Sequence, residues 1–172
     1  EDHGHSASNV AKALRSYWNL PDGPIKNLTA LVESAGVVIL PCDFGVKSID
    51  ATSLRIAGLP PLVFMNTAVT GDRWRFTLAH ELAHLVMHQE PHAQMEEEAD
   101  AFAGEFLVPV EELKPQLVRF PRLQVRDLIP LKRLWRVSIQ ALIFRAFEAG
   151  AISEAQKRGL FVRMSQLNMR QV

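Results

Sequence analysis

Residues 74–88 of this chain read Trp-Arg-Phe-Thr-Leu-Ala-His-Glu-Leu-Ala-His-Leu-Val-Met-His. The apolar residues of this stretch wrap nearly all round a helix, which is typical of a buried helix rather than an amphipathic surface helix. Because buried polar groups need partners, a stripe of His and Glu without a facing Lys or Arg is well served by a metal ion. The polar residues, spaced i, i+3, i+4, i+7 and i+11, form such a stripe: Thr77, His80, Glu81, His84 and His88.

The spacing of His80, Glu81 and His84 supplies two ligands and a base. Histidines four residues apart on one helix face can both direct a ring nitrogen at a single Zn²⁺ ion. Glu81 can then accept a proton from a water molecule bound to that ion. The ordinary alternative is a pair of core histidines satisfied by protein hydrogen bonds. A catalytic zinc ion takes three protein ligands, so we expect a third ligand downstream.

Residues 95–107 predict a second helix that supplies the third ligand. Apolar residues repeat along one face of this helix, Glu96 projects within that face, and Asp100 lies at its edge one turn later. We therefore predict Glu96 as the third ligand. Asp100 is predicted to accept a hydrogen bond from the far nitrogen of a ligand histidine, which fixes the tautomer of that histidine. The outward positions predict a solvated acidic face: Glu97, Glu98 and Glu105.

Three further side chains are candidates for the rim of the site or for the donor that stabilises an oxyanion: His88, His92 and Arg73. His88 continues the stripe, but three ligands along one straight helix cannot surround an ion. A histidine near the helix C-terminus is the ordinary alternative for His88. His92 lies in the predicted loop 89–94 and reaches the metal, as a rim residue or even as a ligand, if that loop folds back. Tyr17 is the only tyrosine and lies far upstream.

Segments 76–88 and 96–109 together resemble the ImmA/IrrE family of metallo-endopeptidases, and segments 21–41 and 131–163 are also similar to it. The resemblance implies a zincin-like α+β core, one Zn²⁺ ion per chain, and zinc-dependent hydrolysis of a peptide bond in a protein substrate. It also implies that this substrate is a helix-turn-helix repressor, so that cleavage regulates phage, mobile-element or stress-response genes. The chain begins at Glu1 rather than Met, which is compatible with a piece of a longer protein.

We predict an α+β fold in which active-site helices pack on a small three-stranded β-sheet, followed by an α-helical C-terminal extension. A buried strand is predicted at 37–40, and two short strands are predicted at 53–57 and 62–65, on either side of a turn. In zincins an extended substrate pairs with an edge strand beside the cleft, and we expect 62–66 or 53–57 to be that edge. The other predicted helices are 8–18, 24–35 with Pro24 in its first turn and Gly36 as its stop, 127–136, 138–149 and 153–164, the last of which is capped by Ser153-Glu154.

Composition sets limits on the domain organisation. At 172 residues and 48% hydrophobic, the chain can bury one substantial core. We predict a metallopeptidase core at 8–113 and a basic α-helical extension at 114–172. No apolar run approaches the length that a membrane span needs, so no membrane contact is predicted. The single cysteine, Cys42, excludes an internal disulfide and fits a reducing cytoplasm.

The two halves of the chain carry opposite charge. Residues 1–113 contain 7 Lys and Arg against 16 Asp and Glu, a net of −9, whereas residues 114–172 contain 12 against 3, a net of +9. The halves can pair with each other, or the basic half can contact DNA or an acidic partner. Two predicted helices in the basic half, with Ser138 as the N-cap of the second, resemble a helix-turn-helix unit, although no set of base-reading residues can be named.

Two other classes of function therefore remain. One is a non-proteolytic zinc-binding regulator that binds a repressor or senses zinc. The intact Glu81 argues against this class, because a scaffold does not need a base. The other is a transcription factor that binds DNA through its basic half, which would show binding that depends steeply on salt.

Overall fold

The computed structural model describes residues 3–46, 48–69 and 71–167, apart from the side chains of residues 3–6. These residues form eight helices and one three-stranded sheet, which confirms the predicted α+β class. None of the helices in this described part is both long enough and apolar enough to cross a membrane. In chain order the elements are α1 (His3–Tyr17), α2 (Leu28–Ser34), β1 (Val38–Cys42), β2 (Ala51–Leu54), β3 (Leu62–Asn66), α3 (Gly71–Met87), α4 (Met95–Leu107), α5 (Val110–Leu117), α6 (Val125–Trp135), α7 (Ile139–Glu148) and α8 (Glu154–Gln166).

The chain divides into two compact units. The first contains Glu1–Leu20 and Ile25–Phe106, and the second contains Pro21–Pro24 and Leu107–Val172. The domain boundary predicted between residues 113 and 114 falls inside α5, a helix that was not predicted from the sequence. The assignment of a metallopeptidase core to 8–113 stays a prediction.

The sheet of the first unit has the strand order β1-β3-β2, with β1 parallel and β2 antiparallel to β3. Val63 and Met65 on β3 are fully buried. The expectation that residues 62–66 form an edge is wrong, because β3 is hydrogen-bonded to a strand on each side. One edge of the described sheet is β2, which begins two residues before the predicted strand 53–57.

The strand β1 forms the opposite edge of the described sheet. Its prediction as a buried strand is wrong, since Val38 is 38% and Leu40 is 37% exposed. A short apolar run does not by itself distinguish a central strand from an edge strand. Cys42, at the end of β1, is half-buried.

The helices of the first unit begin and end at residues with local reasons to do so. α2 starts later than predicted, at Leu28, because the Asn27 side chain accepts a hydrogen bond from the backbone N–H of Ala30 at 3.1 Å. Gly36 follows this helix with φ +90°, as its predicted role as a stop requires. The sequence predicts Thr70 and Asp72 as N-cap or first-turn residues of the histidine helix. Asp72 lies in the first turn of α3, and Thr70 lies outside the described residues.

α3 packs against β2 and β3 with its apolar residues inward. α4 is anchored at its C-terminal end by α1 and the segment after it, where the Trp18 and Phe106 rings meet edge to face at 5.8 Å. Arg15 is buried and donates a hydrogen bond to the carbonyl oxygen of Phe106 at 2.9 Å. The buried residues of α3 and α4 in this unit are Leu78, Ala79, Glu81, Leu82, Ala83, Leu85, Ala99, Phe102, Ala103, Glu105 and Phe106.

The second unit contains α5 to α8. Ser138 caps α7 by accepting a hydrogen bond from the backbone N–H of Ala141, and Ser153 caps α8 in the same way, which confirms both predicted caps. Between α6 and α7 lies a three-residue turn that starts with Arg136 in the left-handed conformation, φ 56°. The buried Arg145 donates a hydrogen bond to the carbonyl oxygen of Val108 at 2.9 Å, so this basic residue has a structural partner within the unit.

Candidate metal centre

Three donor atoms from α3 and α4 converge in the first unit, and we call His80, His84 and Glu96 the first cluster. The Nε2 atoms of the two histidines are 3.0 Å apart, and Glu96 oxygens lie 3.2 Å from His80 Nε2 and 3.6 Å from His84 Nε2. Ligand bonds of about 2.0–2.1 Å around a tetrahedral zinc ion place the ligand atoms about 3.3–3.4 Å from one another. The three donor atoms therefore fit the ligand shell of one metal ion.

A hydrogen bond from the far side of the ring sets the tautomer of His80. Its Nδ1 atom lies 2.8 Å from Oδ1 of Asp100. Because a carboxylate accepts, the proton resides on Nδ1 and the lone pair of Nε2 faces Glu96 and His84. Asp100 thus lies at the far ring nitrogen of a predicted ligand histidine, where its acceptor role was predicted. This contact orients the ring of His80 as a metal ligand requires.

His84 is oriented through a longer chain of contacts. Its Nδ1 atom lies 2.8 Å from Nδ1 of His88, and His88 Nε2 lies 3.1 Å from Oε2 of Glu98. With the lone pair of His84 Nε2 directed at the first cluster, the His84 Nδ1–H donates to His88, and the His88 Nε2–H donates to Glu98. This role of Glu98 was not predicted from the sequence. The i+4 continuation from His84 to His88 was the signal that could have pointed to it.

The exposure of the acidic residues on α4 differs from the prediction. Glu96 was expected within the buried face and Asp100 at its edge, but their side chains are 70% and 64% exposed. Glu98 and Glu105 were expected in solvent, but their side chains are 16% and 2% exposed. The reason is that α4 has more than one covered side. Glu98 faces the end of α3, and Glu105 lies 3.9 Å from Lys12 of α1.

Glu81 is buried next to the first cluster, with 8% of its surface exposed. Burial raises the pKa of its carboxyl above the ordinary value, against the opposing effects of the Ser53 hydrogen bonds and the charge of His80. Ser53, on the edge strand β2, hydrogen-bonds to Glu81 through both its side chain and its backbone. This contact could not be predicted from the sequence, because the contact depends on how α3 packs against β2.

The pKa values of the two histidines in the first cluster shift in opposite directions. Burial lowers the pKa of His80, but the hydrogen bond to Asp100 and the charges of Asp100, Glu81 and Glu96 outweigh it, so the net shift is upward. Burial, aided by the charges of His80 and His88, lowers the pKa of His84. Since a histidine binds a metal ion only in its deprotonated form, protons compete with a metal ion for His80 up to a higher pH than they do for His84.

The other candidates lie elsewhere in the first unit. Arg73 directs Nε and Nη2 at the two oxygens of Asp50, each at 2.7 Å, so its guanidinium is engaged in a bidentate ion pair. His92 lies with His88 and Glu98: its Nε2 is 3.6 Å from Glu98 Oε2, and its ring centroid is 5.1 Å from that of His88. Tyr17 is 80% exposed. The oxyanion roles of Arg73, His88 and His92 stay predictions.

Comparison with known proteins gives one match. A family model described as the IrrE N-terminal-like domain, of the M78 peptidases, matches residues 32–147, which include β1 to β3, α3, α4 and every residue of the first cluster. A search of curated proteins finds no match to the chain. The match covers more than half of the sequence and includes the small sheet and the two helices that carry the donor atoms. The chain belongs to the ImmA/IrrE family of metallopeptidases.

Proposed function

We propose that this protein is a zinc-dependent endopeptidase that cleaves a helix-turn-helix transcriptional repressor and so regulates stress-response or mobile-element genes. One observation carries the proposal: the three donor atoms of His80, His84 and Glu96 converge beside the buried carboxylate of Glu81. A structural metal site has no use for an adjacent base, whereas peptide hydrolysis requires one.

Zinc is the metal that the donor set favours for the first cluster. Two imidazole nitrogens and one carboxylate, at tetrahedral spacing, form a ligand set of catalytic zinc sites and leave one position for water or substrate. The high exposure of Glu96 keeps the cluster accessible from solvent. When bound, the zinc ion supplies Lewis acidity, which polarises the peptide carbonyl and makes a water molecule more acidic.

Glu81 is the residue that we propose moves the proton. Its carboxylate takes a proton from the attacking water and later delivers that proton to the leaving amine. The raised pKa of the carboxyl suits a group that must both accept and return a proton. Ser53 holds the carboxylate from the side of β2, so the base keeps one orientation through both transfers.

The edge strand β2 is the proposed binding surface for the substrate. β2 pairs with β3 along one side and lies at the edge of the described sheet. An extended peptide can add to such an edge by backbone hydrogen bonds, and Ser53 places this strand in contact with Glu81. The scissile bond would thereby be brought to the first cluster.

The proposed partner and compartment have separate grounds. The repressor is inferred from the family, and a reducing cytoplasm is inferred from the single Cys42. DNA contact through the basic half is the less favoured proposal. The three-residue turn between α6 and α7 supports it, but two rings of α7 contact α8 while staying partly exposed: Lys157 lies 5.6 Å from the Phe144 ring and 4.1 Å from the Phe147 ring.

The test pairs zinc content with repressor cleavage in wild type and Glu81→Gln. The candidate repressor is the helix-turn-helix protein encoded beside the gene. We expect both proteins to bind zinc, and we expect the substitution to slow cleavage by about 10²–10⁴-fold, the usual contribution of a general base. Glu97→Gln, which removes an exposed carboxylate on α4, is the charge-matched control and should cleave normally.

Two outcomes would contradict the peptidase. Zinc binding together with repressor binding, but without cleavage by wild type, would identify a non-proteolytic regulator. Absence of zinc from the purified wild type, together with no affinity for added zinc, would remove the first cluster as a metal site.

A further inference from the structure

A second group of possible ligands lies one helical turn beyond the first, and we call His88, His92 and Glu98 the second cluster. His88 comes from the end of α3, His92 from the following loop and Glu98 from α4. Glu98 Oε2 lies 3.1 Å from His88 Nε2 and 3.6 Å from His92 Nε2, and one donor atom from each residue falls within 4.8 Å of the others. Ligands from three different segments can surround an ion, unlike three along one helix.

We propose that the second cluster is a divalent-metal site, and that a metal ion bound there weakens metal binding at the first cluster. Two imidazoles and a carboxylate suit zinc and neighbouring transition metals. His88 and Glu98 are largely buried, with side chains 3% and 16% exposed, so this part of the site is already in place. His92 is 41% exposed, so its side chain has room to close the remaining distance to an ion.

The coupling between the two clusters follows from the positions of the N–H protons on His84 and His88, whose rings are in contact. A neutral imidazole carries one N–H and one lone pair. When His84 Nε2 binds a metal ion, its N–H is on Nδ1 and donates to His88 Nδ1 across 2.8 Å. His88 must then carry its own N–H on Nε2, the atom that faces Glu98. This arrangement supports a metal ion at the first cluster and leaves His88 without a lone pair for the second.

Filling the second cluster reverses the requirement. His88 Nε2 must then offer its lone pair, so the His88 N–H moves to Nδ1 and points at the His84 Nδ1–H. Two hydrogens cannot share a 2.8 Å gap between nitrogens, so one ring must turn or one metal ion must leave. Each ion therefore weakens the other, and by linkage the loss of affinity is the same in both directions. The second cluster would act as an inhibitory site when the metal is in excess.

This inference rests on the proposed function only for the identity of the first cluster, and its test measures binding. Zn²⁺ would be titrated into the metal-free full chain by calorimetry. Wild type should bind two equivalents, the second at least about tenfold more weakly, within the usual range of coupling between sites. His92→Ala, an exposed loop substitution that preserves the contacts of His88 with His84 and Glu98, should bind one equivalent with the affinity of the first wild-type step.

The reciprocal variant tests the coupling. Glu96→Gln removes the exposed ligand of the first cluster, so its tightest equivalent should bind at the second cluster with higher affinity than the second wild-type step. As a control, the double substitution His3→Ala, His5→Ala removes the other two histidines of the chain and should retain both equivalents.

Each contrary result has a distinct meaning. A second equivalent that persists in His92→Ala but disappears in the double substitution would overturn the site, as would a wild type that binds a single equivalent lost in Glu96→Gln. An unchanged second affinity in Glu96→Gln would overturn the coupling. In cleavage assays, with each protein compared with its own rate at one equivalent of Zn²⁺, excess Zn²⁺ should inhibit wild type but not His92→Ala. If the protein proves not to be a peptidase, the binding results stand by themselves.

Discussion

The first and second clusters have the same donor set, but they are exposed in opposite ways. In the first, the histidine side chains are 17% and 13% exposed and the carboxylate of Glu96 is 70% exposed. In the second, His88 and the carboxylate of Glu98 are 3% and 16% exposed, and the loop residue His92 is 41% exposed. The first cluster is thus open to solvent at the carboxylate of Glu96, and the second is open to solvent at the loop residue His92.

Their surroundings separate the two clusters more than their ligands do. The first lies beside Glu81, which contacts the edge strand β2 through Ser53. The second lies against His84 and supports the tautomer that the first cluster needs. We therefore assign the same donor types to catalysis in one proposal and to regulation in the other, because the base, the substrate surface and the hydrogen-bond partner beside them differ.

The largest expected effect comes from exchanging the carboxylates of the two clusters for amides. Glu96→Gln should weaken zinc binding at the first cluster by more than about 100-fold, because losing a ligand costs more than losing an outer contact. Glu98→Gln should instead abolish the second equivalent. Glu97→Gln, between them on α4 and exposed, is the control for the change of charge. Equal zinc affinity in Glu96→Gln and Glu97→Gln would exclude Glu96 as a ligand and would leave His92 as the alternative third ligand.

A smaller effect is expected at Asp100, which orients a ligand without binding the ion. Asp100→Ala removes the acceptor of the His80 Nδ1–H at 2.8 Å and should lower zinc affinity by about 10–100-fold, with the stoichiometry unchanged. Since Asp100 is 64% exposed, the fold should tolerate the change, and circular dichroism would verify this. Glu97→Ala is the matched control, and an affinity as high as that of this control would show that Asp100 does not support the site.

The smallest effect is expected at Ser53 and would separate catalysis from metal binding. Ser53→Ala removes the side-chain hydrogen bond to Glu81 and should lower kcat by about tenfold, because a hydrogen bond to a charged group contributes about 1.5 kcal/mol. Zinc affinity at both clusters should not change. Thr52→Ala, which alters the opposite face of β2, is the control. A loss of zinc affinity instead of kcat would assign Ser53 a structural role.

Local patterns were enough to predict part of the fold and the candidate site. The i, i+4 spacing of His80 and His84 puts both rings on one face of any α-helix, whatever packs around it. The same local geometry pairs Glu96 with Asp100 on α4. Ser138 and Ser153 were predictable as caps because a capping hydrogen bond spans three residues. These features depend on residues close together in the sequence.

Contacts between distant segments account for what the sequence missed. The central place of β3, the burial of Glu98 and Glu105, and the contact of Ser53 with Glu81 all depend on which segments become neighbours on folding. A period of 3.6 residues identifies a covered face of a helix, but it does not say how many partners cover that helix.

The sequence by itself thus determined the helix that carries two histidines and a glutamate, and the helix that carries a carboxylate toward them. The tertiary structure decided which carboxylate is exposed, which strand borders the base and how a second cluster is linked to the first through His84 and His88. The physical reason is that helix geometry repeats every few residues and is readable locally, whereas burial and hydrogen-bond partners are set by segments brought together from far along the chain.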